Sequence, residues 1–214
     1  MSPSQRGFTL FELLSVMAAI TILTALSLPA MVKSIHQGRV NDAAMQVVTA
    51  VNEAHQQALQ RRRLPDQLVT VATAEPVPYG IVVRPRAGSE AAHVVLVGWK
   101  PGVTTPAELG ERRYFNDNVE VYATGTGVIG ATPTTPAPAA FSLYFQFGSG
   151  FPGLTWSNPG GVSTLTSAQA AFVVVGTRDL AYDATGPRWS AGLGATVRIY
   201  PFVGAVDAQP GQTP

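Results

Sequence analysis

The 214-residue sequence contains no cysteine. No disulfide can staple it, so a domain folded outside the cytoplasm must rest on its apolar core. Charge is sparse as well. Charged residues make up 13% of the chain, and 14 basic side chains nearly cancel 13 acidic ones. From Asp66 onward the count is eight basic and ten acidic, a poor footprint for a general nucleic-acid binder.

The chain also lacks recognisable catalytic or ligand-binding sets. Of the three histidines, His36 and His55 stand nineteen residues apart. On one helix that is roughly 28 Å, too far to share an ion. His93 opens a strand-like run and reads as a packed or solvated residue. Zinc-ligand spacing and the partners of a serine nucleophile are missing. Asp117 with Asn118, and Asp179 with Asp183, offer oxygens without calcium-loop spacing, so they read as turn residues. Two stretches spell a dinucleotide-binding glycine pattern, Gly125-Thr126-Gly127-Val128-Ile129-Gly130 and Gly148-Ser149-Gly150-Phe151-Pro152-Gly153. That chemistry needs a helix to open at the glycines. Pro133 and Pro136 follow the first, and Pro152 and Pro159 interrupt the second. The expectation is a chain without cofactor, metal or catalytic residues.

What the sequence does have is one long apolar run. Arg6 is followed by twenty-six residues, through Val32, whose only charge is Glu12. As a helix, residues 8–32 would span roughly 38 Å, enough for a hydrocarbon core of about 30 Å. A cleavable secretory signal has a shorter apolar region with small residues after it; here the small residue, Gly7, comes before. Glu12 is the anomaly, because a carboxylate inside a membrane segment is costly. Charge does not orient the segment, since Arg6 precedes it while Lys33 and Arg39 follow.

Arg6-Gly7-Phe8-Thr9-Leu10-Phe11-Glu12-Leu13 resembles the leader junction of type IV prepilins and type II secretion pseudopilins. The resemblance implies cleavage after Gly7 by a prepilin peptidase and N-methylation of Phe8. It makes Glu12 the fifth mature residue, an assembly residue, and puts Pro29 where relatives carry a helix-kinking proline. It implies an inner-membrane anchor, a C-terminal domain in the periplasm, and assembly with other pseudopilins or pilins through the N-terminal helix. Many pilins close a terminal loop with a disulfide, which this chain cannot. Two roles stand open for Glu12. It is positioned to pair with a Phe8 amine, its own or a neighbour's, in a medium of low dielectric. Alternatively, it only caps its own helix.

Beyond Val32 the helical pattern turns amphipathic. Val40, Ala44, Val47, Val51, Ala54 and Ala58 recur at intervals of four and three, forming one stripe. This predicts one helix from Thr9 to Arg63, with Pro29 the place for a bend and Gly38 for a loosened turn. Leu64-Pro65 stops it. Short β-rich runs follow at 68–72, 79–84, 93–99, 113–115, 119–123, 141–147, 171–176 and 195–202, with no helical pattern between them. The expected fold class is therefore α+β, a long N-terminal helix packed on antiparallel sheet. Segments 124–140 and 148–169 read as long loops; the aromatic residues of the second make it the better contact candidate.

The order of these pieces resembles the GspH/FimT type of minor pseudopilin. The carrying residues are the helix end Glu53-Ala54-His55-Gln56-Gln57-Ala58-Leu59-Gln60-Arg61, the strand Tyr79-Gly80-Ile81-Val82-Val83, Arg113-Tyr114-Phe115, Phe145-Gln146-Phe147-Gly148 and the last strand from Val197. Phe202-Val203-Gly204-Ala205-Val206 departs from it where relatives have a glycine-arginine pair. The implied organisation is a leader at 1–7, a transmembrane helix at 8–32, its amphipathic continuation at 33–64, an extracytoplasmic β-rich domain at 65–207 and a frayed tail at 208–214. The implied role is structural and non-enzymatic. The alternative is a pilus-tip subunit that binds DNA or another ligand, for which Arg112, Arg113, Arg178, Arg188 and Arg198 would be the phosphate contacts.

Overall fold

The computed structural model describes residues 9–62, 79–98, 107–128, 137–138, 140–147, 152–158, 161–165, 169–182, 189–200 and 206–210. The chain divides into two compact units, Met1–His36 and Gln37–Pro214. Helix α1, Leu10–Arg62, supplies both. The helix assignment runs unbroken through Pro29, which cannot donate to the Ala25 carbonyl, and through Gly38.

In the first unit the helix is apolar all round and its large side chains, from Leu10 to Ile35, are exposed. Its hydroxyls turn inward. Ser15 donates to the Phe11 carbonyl, Thr21 to Met17 and Thr24 to Ile20, each at 2.8 Å, and Ser27 donates to Thr24 at 3.2 Å. Such back-bonding satisfies each hydroxyl within the helix, the arrangement an apolar solvent requires.

The second unit begins with the amphipathic part of α1. The six stripe residues named above are all buried, joined by Ala43 and Ala50. They share one core with residues of two antiparallel sheets. The first sheet comprises β1 (Tyr79–Arg84), β2 (His93–Gly98), β3 (Ala107–Glu108), β4 (Arg113–Tyr114), β7 (Phe141–Phe147), β8 (Pro152–Asn158) and β9 (Gly161–Leu165). Its order is β3-β2-β1-β7-β8-β9, with β4 also on β2. The second comprises β5 (Val119–Val128), β6 (Ala137–Pro138), β10 (Gln169–Thr177), β13 (Gly194–Ile199) and β14 (Val206–Pro210), in the order β14-β13-β10-β5-β6. Strands β11 (Ala181–Tyr182) and β12 (Trp189–Ala191) pair separately. Period-2 alternation explains the inner faces: Ile81 and Val83, Leu143 and Phe145, Val173 and Val175, Val197 and Ile199 all lie in the core.

The α+β expectation holds, with antiparallel pairing throughout the described strands. The long-loop expectations need correcting. Strand β5 continues through Gly127 to Val128 against β10, with a register shift between Phe172 and Val173, so 124–128 is sheet. Segment 148–169 contains the hairpin β8–β9, whose pairs run from Leu154↔Leu165 to Asn158↔Gly161. Alternation in Leu154-Thr155-Trp156-Ser157 and the turn cluster Asn158-Pro159-Gly160-Gly161 fit a hairpin. Pro152 is tolerated because it is the strand's first residue. The expectation of a frayed tail is corrected at residues 208–210, which pair with β13; residues 211–214 lie outside the described residues. The expected strand at 68–72 and the helix stop at Leu64-Pro65 lie outside the described residues.

Candidate processing and assembly site

The helix starts where an apolar run meets a polar pair. Thr9 lies just outside α1 and its carbonyl accepts the first helical bond, from Leu13 N–H at 3.2 Å. Its side-chain oxygen accepts from the Glu12 N–H at 3.2 Å. In return Glu12 Oε2 accepts from the Thr9 N–H at 3.2 Å and from the Thr9 hydroxyl at 3.0 Å. This is a capping box: two N–H groups that the first turn leaves without helical partners are satisfied reciprocally. The carboxylate also lies at the positive end of the helix dipole.

In the single chain, then, Glu12 does cap its own helix. Both of those bonds fall on Oε2, and a carboxylate has about four lone-pair positions. Capping therefore does not exhaust it as an acceptor. Gly7 and Phe8 lie outside the described residues, and Pro29 sits in the helical stretch of the first unit. Thr9 joins Glu12 at this site, and its signal is legible in the sequence, a threonine three residues ahead of a glutamate before an apolar run.

The other candidates do not converge. His55 is buried on the sheet-facing side of α1, its ring edge-on to Phe145 at 5.1 Å; burial pushes its pKa down. His93 is packed, its Nδ1–H donating to the Ala91 carbonyl at 3.1 Å. Among the described residues no three histidines or carboxylates come together to hold a metal ion. Asp117 is engaged by Arg86 at 2.9 Å, and that hydrogen bond lowers its pKa. Asp183 and Arg188 lie outside the described residues. The first glycine pattern falls in β5 as far as Val128, where no helix opens; Gly153 of the second is in β8.

The described arginines near the β1–β4 end of the first sheet are spent on carboxylates. Arg112 Nε reaches Glu108 at 3.0 Å and its Nη1 reaches Glu90 at 2.8 Å. The Arg112 hydrogen bond holds the Glu108 carboxyl below its ordinary range. Arg84 also approaches Glu108, at 3.5 Å. Arg113, on β4, places Nη2 2.8 and 2.7 Å from the two oxygens of Glu53 on α1. Sequence order gives no hint of this pairing, sixty residues apart.

Over residues 2–28 the sequence matches the prokaryotic N-terminal methylation motif. That match takes in the residues ahead of α1 and the helix as far as Leu28, and the sheet-bearing unit lies beyond it. No curated protein and no solved structure matches the chain. What can be stated is a class: a chain with an N-terminal methylation motif, one described helix long and apolar enough to cross a membrane, and a pilin-like α+β fold.

Proposed function

We propose that the chain is a prepilin-like structural subunit, a minor pseudopilin or pilin of a type II secretion pseudopilus or type IV pilus. The observation that carries this reading is the methylation motif running directly into an apolar helical stretch, residues 10–32, whose lone carboxylate, Glu12, stands in the first turn. A prepilin peptidase would cut between Gly7 and Phe8, and Phe8 would be N-methylated. Residues 8–32 would hold the subunit in the bacterial inner membrane with the sheet-bearing unit in the periplasm. On assembly, the Phe8 amine of an incoming subunit would find its counter-ion in a neighbour's Glu12, while the bonds to Thr9 keep that carboxylate fixed in place. The GspH/FimT assignment rests on the order of helix end, β1, β4, β7 and β13. The DNA-binding alternative is weakened by the carboxylate partners of Arg84, Arg86, Arg112 and Arg113.

The test is the mature N-terminus. Intact mass and N-terminal sequencing of protein made beside a prepilin peptidase should give N-methylated Phe8. Gly7→Val should leave the precursor uncut yet membrane-bound. A mature chain beginning near Ala30, as a conventional signal peptidase would leave, overturns the reading.

A further inference from the structure

The chain carries two signals for where its first helix could begin. One is Ser2-Pro3-Ser4-Gln5, with serine at the cap, proline at the first helical position and glutamine at the third. A helix begun there would enclose Gly7 and Phe8. The other is Thr9 with Glu12, and this is the one the fold uses, since α1 begins at Leu10. Four bonds hold the start in place. The Thr9 carbonyl accepts from Leu13 N–H, the Thr9 hydroxyl oxygen accepts from Glu12 N–H, and Glu12 Oε2 accepts from both the N–H and the hydroxyl of Thr9. Thr9 itself lies outside the helix, and a cap residue takes non-helical backbone angles.

The place of the start matters because of the bond beside it. In the sequence only Phe8 separates Thr9 from the Gly7–Phe8 amide. Hydrolysis adds water across that amide, leaving a carboxylate on Gly7 and an amine on Phe8. Peptidases act on locally opened chain. An amide within a helix is instead bonded along the axis to its neighbours one turn away. In an apolar medium, where every backbone N–H seeks an internal acceptor, a helix without a firm cap tends to lengthen toward the next signal.

Resting on the prepilin reading above, we infer that Thr9 is a positioning residue for cleavage: its capping box with Glu12 stops the helix short of the Gly7–Phe8 bond and keeps that bond open to the peptidase. Thr9 acts through the backbone it caps. This part is played before assembly begins, so it is separate from the counter-ion role of Glu12.

The test uses the full precursor in uncharged detergent with purified prepilin peptidase, cleavage being followed by intact mass. Thr9→Val keeps the shape of threonine and removes the capping oxygen. Losing a cap shifts the equilibrium of the helix start about fivefold. A substrate only partly in its competent form shows that factor in its apparent KM, which should rise about fivefold while kcat stays within about twofold of wild type. Thr9→Ser and Thr9→Asn place a capping oxygen on side chains of different shape and should return KM to the wild-type value. Thermal unfolding of the second unit should be the same in all four proteins. A wild-type KM in Thr9→Val overturns the inference. So does a fall in kcat at unchanged KM, or failure of either Thr9→Ser or Thr9→Asn to rescue, which would show that the peptidase reads the threonine side chain directly. A wild-type precursor left uncut between Gly7 and Phe8 is a different failure, and it overturns the prepilin reading together with this one.

Discussion

Val16 and Val47 are the same residue in the same helix, yet Val16 is 52% exposed and Val47 is fully buried. The difference extends along both halves. The first half carries large side chains such as Leu10, Phe11, Met17, Ile20 and Leu23, all exposed. The buried positions of the second half are Val40, Ala43, Ala44, Val47, Ala50, Val51, Ala54 and Ala58. Alanine predominates there, and the stripe shares one core with residues of both sheets. Bulk faces outward where, on the function proposed above, lipid or a neighbouring subunit would cover it; small residues face inward where the chain covers itself. The comparison teaches that one helix can be read as two by asking what covers each half.

The strongest way to break the comparison is to separate the halves. A fragment beginning at Lys33 keeps the buried stripe and should be soluble, monomeric and cooperatively folded. One beginning at Asp66 loses it. Each fully buried valine contributes on the order of 1.5–3 kcal/mol, and whole domains are stable by only about 5–15 kcal/mol. The shorter fragment should aggregate or show no unfolding transition. Circular dichroism melts of the two decide it, and equal stability would show that the stripe is not part of the core.

The next effect belongs to the first half. Glu12→Gln removes the charge but keeps the cap, because glutamine also serves in a capping box. Cleavage, membrane insertion and folding of the second unit should persist. Incorporation into fibres should fall more than a hundredfold if a buried amine loses its counter-ion, a one-sided loss costing about 3–5 kcal/mol. A capping role alone predicts near-normal incorporation, since its loss is worth at most about 1 kcal/mol. Co-purification of the variant with sheared fibres separates the two outcomes.

The matched pair of valines sharpens the comparison further. Val47→Ala should destabilise the second unit by about 1–2 kcal/mol, the weight of two methyl-sized groups at roughly 0.8 kcal/mol each. Val16→Ala should leave the unfolding of that unit unchanged. Chemical denaturation of both variants in detergent measures the contrast, and equal shifts would erase the distinction.

How much of this was legible follows from how local each signal is. The stripe from Val40 to Ala58 was readable because helical periodicity needs only a few turns of sequence, and β1 and β7 begin and end where alternation placed them. The β8–β9 hairpin was not, because glycine, proline and threonine dilute alternation and its strand character comes from pairing with β7. The division into two sheets depends on which distant strands meet, as β10 meets both β5 and β13. At the site, the residues around the proposed cleavage point were marked by a contiguous motif. Thr9 was legible yet overshadowed by Glu12. The Glu53–Arg113 pair was hidden, because only the folded sheet brings β4 to the helix.

The smallest expected effect lies in His55, where the second half of the helix meets the sheet. Burial lowers its pKa below the ordinary 6.5, so the folded chain resists a proton that the unfolded chain accepts. Stability from this residue is complete above pH 6.5. It declines as pH falls from there toward the lower folded value, because the unfolded state then binds more protons. The slope cannot exceed about 1.4 kcal/mol per pH unit for one proton. Glu108 and Asp117 do not confuse the window. Hydrogen bonds from Arg112 and Arg86 depress their pKa values from 4.5 and 3.8, so their contributions are lost only at more acid pH. Urea unfolding of the fragment beginning at Lys33, at pH 7.5 and 5.5, should therefore show a lower midpoint at pH 5.5. His55→Gln should flatten the difference. A midpoint that stays constant in the wild type, or a slope unchanged by the substitution, would remove His55 from the account of how this helix is held.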